Sequence, residues 1–171
     1  MKMIQRIFAF AALTIGVVLA QGNPARMAKE VRHELVMLPY LDVFDNLAYK
    51  VDGGTVTLVG QVVRPTLKTD AEKAVKGIEG VQKVDNQIEV LPLSPDDDRI
   101  RRALYRVIYL TGPLTRYDLP VLKPIRLIVK NGNITLEGVV DNQADKNVAN
   151  IRAKGVAGAF SVTNNLRVEK S

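Results

Sequence analysis

The sequence predicts an α+β fold of two tandem αββαβ modules, each a three-stranded mixed sheet with two helices on one face. Three observations support this prediction: an internal repeat, a glycine-containing hairpin turn in each copy, and helix start signals before each copy. Residues 51–90 align with residues 129–168 without a gap, and fourteen of the forty positions are identical. A match of this length indicates a duplicated structural unit. The seam lies near the proline-containing stretch at 91–95.

The first twenty residues are predicted to lie outside both modules. Lys2 and Arg6 form a short basic region, and residues 7–19 are almost entirely apolar. This run is too short to span a bilayer comfortably, and it ends in small residues before Gln21, as a secretory signal peptide does. We therefore expect a signal peptide at 1–20, a first module at 21–92 and a second module at 93–171. A retained amino-terminal anchor is the alternative.

Each module is predicted to open with a helix. In the second module, Ser94 can cap the helix, Pro95 suits its first turn, and the aspartates at 96–98 complement the positive end of the helix dipole. The apolar residues that follow share one helical face: Ile100, Ala103, Leu104, Val107 and Ile108. The first module repeats this arrangement after Asn23-Pro24, with an inner stripe of Met27, Ala28, Val31 and Leu35.

A hairpin, a second helix and a last strand are predicted to follow in that order. The hairpin turns are Asp52-Gly53-Gly54 and Asn131-Gly132, which tolerate the positive φ angles of tight turns. Their predicted strands are 47–51 with 55–63, and 122–130 with 134–140. The second helices are predicted at 65–78 and 143–156, and the last strands at 82–90 and 160–168. Because a helix connects the second strand to the last, these two strands should be parallel.

The repeated residues resemble the BON domain. The pattern is a strand ending in glycine, a helix, and then Gly-Val-x-x-Val-x-Asn-x-Ile/Leu-x-Val. It is present as Val56 to Gly60 and Gly80 to Val90, and again as Ile134 to Gly138 and Gly158 to Val168, where Ala159 replaces the usual valine. The resemblance implies a periplasmic protein without catalytic activity, similar to the osmotically induced branch of the family. Its motif residues are structural: Gly60 and Gly138 for close approach, Gly80 and Gly158 for turns, and Asn86 and Asn164 for local hydrogen bonds.

The composition offers little for catalysis or metal binding. The chain has no cysteine and one histidine, His33, which lies off the inner stripe of the first helix. A transition-metal site would therefore need unusual ligands. The aspartates at 96–98 lack the spacing and the turn glycine of a calcium loop. We predict no catalytic residues, no metal site, no cofactor, no small-molecule substrate and no nucleic-acid partner.

The first helix of the second module carries the residues predicted to be functional. Residues 95–171 carry 13 basic and 8 acidic residues, whereas residues 21–94 carry 9 and 10. At about 100° per residue, basic and tyrosine side chains are predicted to project opposite the apolar face. The segment that follows adds leucine, arginine and tyrosine. The predicted membrane-binding residues are Arg99, Arg101, Arg102, Tyr105, Arg106, Tyr109, Leu114, Arg116 and Tyr117.

Basic residues interleaved with tyrosines are typical of surfaces that bind anionic phospholipid. Four or five such cations would give weak, salt-sensitive binding. The leading prediction is an exported envelope or stress protein that binds anionic membrane surfaces through its second module. An ordinary solvated face, with Tyr105 or Tyr109 packed against the first module, is the simpler alternative. A protein-binding or chaperone-like module and a binder of an anionic cell-wall polymer are the functional alternatives.

Overall fold

The computed structural model describes residues 23–169, so the predicted signal peptide lies outside the described residues. The first module contains helix α1 (Pro24–Val36), strands β1 (Asn46–Asp52) and β2 (Thr55–Val62), helix α2 (Pro65–Lys76), and strands β3 (Lys83–Asn86) and β4 (Glu89–Val90). The second contains α3 (Pro95–Tyr105), β5 (Ile125–Lys130), β6 (Asn133–Val140), α4 (Gln143–Lys154), β7 (Ser161–Asn164) and β8 (Arg167–Val168). The predicted α+β class and tandem modules are confirmed.

The helices begin where the sequence signals place them. The Asn23 side chain accepts from the backbone N–H of Ala25 at 3.0 Å, and Ser94 accepts from that of Asp97 at 3.2 Å. Both helices then have proline in the first turn, where the missing N–H has no intrahelical partner to lose. Each cap therefore satisfies a backbone donor that the helix itself leaves unpaired.

The two sheets have the same topology. In the first, β2 is central, antiparallel to β1 and parallel to β3 and β4; in the second, β6 is central in the same way. The predicted last strand is thus divided into two short pieces in each module. Asn131 and Gly132 both have positive φ, at 50° and 75°, which is the backbone of a two-residue hairpin turn.

A repeated asparagine lies at the break in the last strand of each module. The Asn86 side-chain amide donates to the carbonyl of Lys68 at 2.9 Å, and its oxygen accepts from the N–H of Ile88 at 3.2 Å. Asn164 makes the same pair of bonds to Lys146 and Leu166, at 2.8 and 3.1 Å. The asparagine therefore ties the last strand to the second helix of its module and interrupts the sheet ladder locally.

Two separate hydrophobic cores lie between the helices and sheets, and the loop after α1 packs against the second of them. Val43, in the loop after α1, is only 3% exposed and packs in the core of the second module. Its carbonyl accepts from the N–H of Leu127 on β5 at 2.9 Å, and the carbonyl of Asp42 accepts from Arg126 at 3.0 Å. The first module thus covers part of the β5 edge, which would otherwise present unpaired backbone groups.

Candidate functional site

The exposed side of α3 retains part of the predicted basic and aromatic face. Arg99, Arg102 and Arg106 are exposed, and Tyr105 is half-buried. Arg99 pairs with Asp96 at 3.2 Å. Among residues 23–169, Arg102 and Arg106 make neither an ion pair nor a side-chain hydrogen bond. Arg102 lies on α3 and Arg106 is the residue that caps its C-terminus. These two arginines are therefore the cations at this end of α3 that remain available to an anionic partner.

Arg101 was wrongly predicted to lie at the surface. Its side chain is 4% exposed and donates to Asp98 at 2.6 Å and to the carbonyl of Val129 at 2.7 Å. On the same buried side of α3, the Asp97 carboxylate accepts from the backbone N–H groups of Asn131 and Gly132 at 2.8 and 2.7 Å. The helix therefore buries two charged residues, Asp97 and Arg101, that bond to the β5–β6 hairpin. The periodicity of apolar residues does not reveal their burial.

The predicted outward projection of Tyr109 is also wrong. Tyr109 is 1% exposed, and burial raises the pKa of its hydroxyl. The hydroxyl donates to the carbonyl of Ile125 and accepts from the N–H of Ile125 at 3.2 Å. Residues 106–110 form a π-helical turn, which is wider than an α-helical turn and turns fewer degrees per residue. This geometry keeps Tyr109 close to the buried stripe that contains Leu104 and Ile108.

The segment after α3 forms a 3-10 helix, Gly112–Asp118, that packs on α4 rather than projecting outward. Leu114 and Tyr117 are buried, at 0% and 5% exposed, so both were wrongly predicted to face a membrane. The Tyr117 hydroxyl donates to Asp145 at 2.7 Å, and burial raises its pKa to about 12. The Arg116 side chain is 44% exposed, but it pairs with Asp141 and Asp145. Its guanidinium therefore already has structural partners.

A groove of about 460 Å³ lies beside the two available arginines. It is lined by Arg102 and Tyr105 from α3, by Arg106 and Leu110 from the π-helical turn, by Lys123, and by Asp42, Val43 and Phe44 from the first module. The rings of Phe44 and Tyr105 meet edge to face with centroids 6.3 Å apart. The groove therefore combines aromatic walls with cationic rims, and both modules contribute to it.

An exposed apolar loop that the sequence patterns do not reveal lies next to this groove. Leu119 is 85% exposed, Val121 is 100% exposed and Leu122 is 46% exposed. We define these residues with Pro120 as the apolar loop (119–122). The strand predicted at 122–130 includes Leu122, yet β5 begins only at Ile125. The signal that could have located it is Leu-Pro-Val-Leu between two charged residues, since proline is unfavourable inside a strand.

The base of the apolar loop is closed by polar contacts. Lys123 pairs with the carboxylate of Asp118 at 2.7 Å and donates to its backbone carbonyl at 2.9 Å. Asp118 also accepts from the Tyr105 hydroxyl at 2.9 Å. The hydrogen bonds from Lys123 and then Tyr105 lower the pKa of Asp118. The loop is thus fixed through Tyr105 to the end of α3, where Arg102 and the C-capping Arg106 lie.

Fold and sequence together assign the chain to the BON domain family. The BON domain matches residues 25–92 and again residues 96–170, so the protein is a tandem BON protein. It is similar to osmotically-inducible protein Y of Escherichia coli strain K12, with 27% identity over 125 residues. That match covers 72% of this chain and 62% of the relative's length.

Two solved structures of a Chlamydia trachomatis type III secretion structural protein, CdsD, also show some likeness to the chain. One covers 85% of this chain and 93% of that chain, with 12% identity and a TM-score of 0.35. The other is a C-terminal domain of CdsD, with 12% identity and a TM-score of 0.34. Both are too distant to support a conclusion about function.

Within residues 23–169, no helix is long and apolar enough to cross a membrane. The same residues contain no cluster of histidine and acidic side chains arranged to hold a metal ion.

Proposed function

We propose that this tandem BON protein is an exported, non-enzymatic envelope protein that binds anionic phospholipid surfaces through its second module. The observation that carries the proposal is the pair of available arginines, Arg102 and Arg106, on the rim of an aromatic groove. Tyrosine rings suit the headgroup depth of a bilayer, and guanidinium groups bind phosphate well.

The number of available cations sets the expected strength of this binding. Each arginine near an anionic surface contributes about 1 kcal/mol, so two supply roughly 2 kcal/mol. A dissociation constant of about 1 μM corresponds to about 8 kcal/mol. Electrostatic attraction from Arg102 and Arg106 alone therefore gives only weak, salt-sensitive attachment. Stable attachment needs an additional apolar contribution.

The proposal is tested by co-sedimentation of residues 21–171 with liposomes. We expect binding to vesicles containing phosphatidylglycerol or cardiolipin, reduced by salt, and no binding to neutral vesicles. The double variant R102E/R106E should lower the bound fraction at least several-fold, because it replaces two attractive charges with two repulsive ones.

The matched control is K29E/R32E, which changes the net charge equally on exposed positions of α1. This control should bind nearly as the unaltered protein does. Equal loss in both variants would show that net charge, and not the α3 face, governs binding. No binding of the unaltered protein at low salt would contradict the proposal.

A role in osmotic or envelope stress is part of the same proposal. It is supported by membership of the BON family and by the similarity to osmotically-inducible protein Y. The basic and apolar start of the sequence supports export to the periplasm. Fractionation of cells expressing the full chain should place the processed protein in the periplasmic fraction, and its deletion should impair growth after an osmotic upshift.

The exposed apolar loop also favours a second candidate, a protein-interaction module. Exposed apolar patches on a folded protein are typical of binding sites for other proteins as well as for membranes. This candidate predicts that crosslinking in the envelope recovers the same defined partner whether or not lipid is present. It also predicts that R102E/R106E leaves that partner bound. A binder of anionic polymer would instead be displaced from anionic vesicles by soluble polyanion.

A further inference from the structure

We propose that the apolar loop (119–122) inserts into the acyl region of the membrane and provides the apolar contribution that the arginines lack. This inference rests on the proposed function, because it assigns the part of the second module that penetrates the lipid. Leu119 and Val121 are 85% and 100% exposed, so the fold gains almost nothing from these side chains. Their aliphatic groups are available to a partner without any unfolding.

The loop is held in one place before it meets a partner. Asp118 and Lys123 close its base at 2.7 Å, and Pro120 fixes one backbone torsion within it. Less conformational entropy is therefore lost when the loop inserts than would be lost by a flexible segment. Leu110, 54% exposed, lines the adjoining groove and extends the apolar surface toward Arg106.

The charges around the loop favour a lipid surface over an apolar protein surface. Arg102 and Arg106 flank Tyr105 at the end of α3, and the Tyr105 hydroxyl joins this end to the base of the loop through Asp118. In an anionic leaflet, the apolar tip would meet the acyl chains, the aromatic rings would lie at the interface, and the arginines would meet the phosphates. Binding to anionic vesicles should then have two contributions: one from the arginines, which salt weakens, and one from the apolar loop, which salt leaves largely unchanged.

The absence of tryptophan from the chain allows a direct depth measurement. A single tryptophan is introduced as V121W at the tip of the loop. The matched control is L93W, at a position that is 90% exposed and lies beside the acidic start of α3, at the opposite end from the loop. Each protein is titrated with phosphatidylglycerol-containing vesicles, with and without brominated acyl chains.

We expect V121W to show a blue shift and quenching by the brominated chains, and L93W to show neither. The variant V121D should bind anionic vesicles about tenfold more weakly, whereas L93D should bind as the unaltered protein does. If V121W co-sediments with the vesicles but is neither shifted nor quenched, insertion is wrong while the proposed function stands. A blue shift that grows with protein concentration without vesicles would identify a second copy as the occupant and overturn the inference.

If the unaltered protein fails to co-sediment with any vesicle, the proposed function and the insertion fail together. If insertion alone is wrong, V121W still co-sediments with the vesicles, so the two failures give different results. Because Val121 makes no buried contact, loss of folding does not complicate the V121D comparison.

Discussion

At the scale of single residues, two glycines show why the repeat retains particular positions. Gly60 has φ of 119°, and a Cβ there would lie 2.0 Å from the carbonyl oxygen of Asn46. Gly138 has φ of 116°, and a Cβ would lie 1.9 Å from the carbonyl oxygen of Pro124. The sequence-based prediction of close approach at both glycines is confirmed. The contact is with backbone, which cannot move aside as a flexible side chain would.

We expect G60A to destabilise the protein by at least about 2 kcal/mol, because it combines an unfavourable torsion with a backbone clash. The matched control is G53A, which also has positive φ, at 56°, but has no heavy atom within 4 Å of the added Cβ. It should cost only about 1 kcal/mol. Urea unfolding followed by circular dichroism measures both, and equal losses would show that the clash is relieved elsewhere.

At the scale of elements, α3 illustrates how a helix can be assigned correctly and oriented wrongly. Its start and its buried Ile100 and Leu104 follow the predicted pattern. Its inner face is rotated toward Arg101, however, because Asp97 and Arg101 bond backbone groups of the β5–β6 hairpin. Those groups lie 28 to 35 residues away along the chain, so no local pattern identifies them as partners.

The contacts of Asp118 with Lys123 and Tyr105, which close the base of the apolar loop, are expected to change with pH only under acidic conditions. Because Lys123 and Tyr105 hydrogen-bond to Asp118, the pKa of this carboxyl lies below its ordinary value of 3.8. A lowered folded-state pKa stabilises the closed loop at pH above the ordinary value, and this stabilisation is lost as the pH falls through the lowered pKa.

The amide signals of the loop should therefore be unchanged between pH 7 and pH 5 and should shift below about pH 4 in nuclear magnetic resonance spectra. D118N should abolish this shift. A transition near neutral pH in the unaltered protein would mean that another group controls the closure.

At the scale of the whole molecule, the two modules share packing through the loop that follows α1. Val43 belongs to the first module by sequence but packs in the core of the second. Phe44 beside it forms a wall of the groove next to Arg102. The candidate site therefore depends on contact between the modules.

We expect V43A to destabilise the second module by about 1–3 kcal/mol, because a buried aliphatic side chain is shortened. Hydrogen exchange of the Leu127 amide, which donates to the Val43 carbonyl, should accelerate. V59A, on a side chain that is 38% exposed in the first module, serves as the control and should leave this exchange unchanged. Unaltered protection of Leu127 in V43A would show that the modules are energetically independent.

The sequence by itself determined the duplication, the order of helices and strands, the hairpin turns, and the roles of the repeated glycines and asparagines. These features depend on local torsions, caps and periodicity, which neighbouring residues specify. Only the tertiary structure decided which cations of α3 are available, that Tyr109, Leu114 and Tyr117 are buried, and that residues 119–122 are exposed. Burial of a polar or aromatic side chain depends on partners from distant segments, and those partners are brought together only when the modules pack.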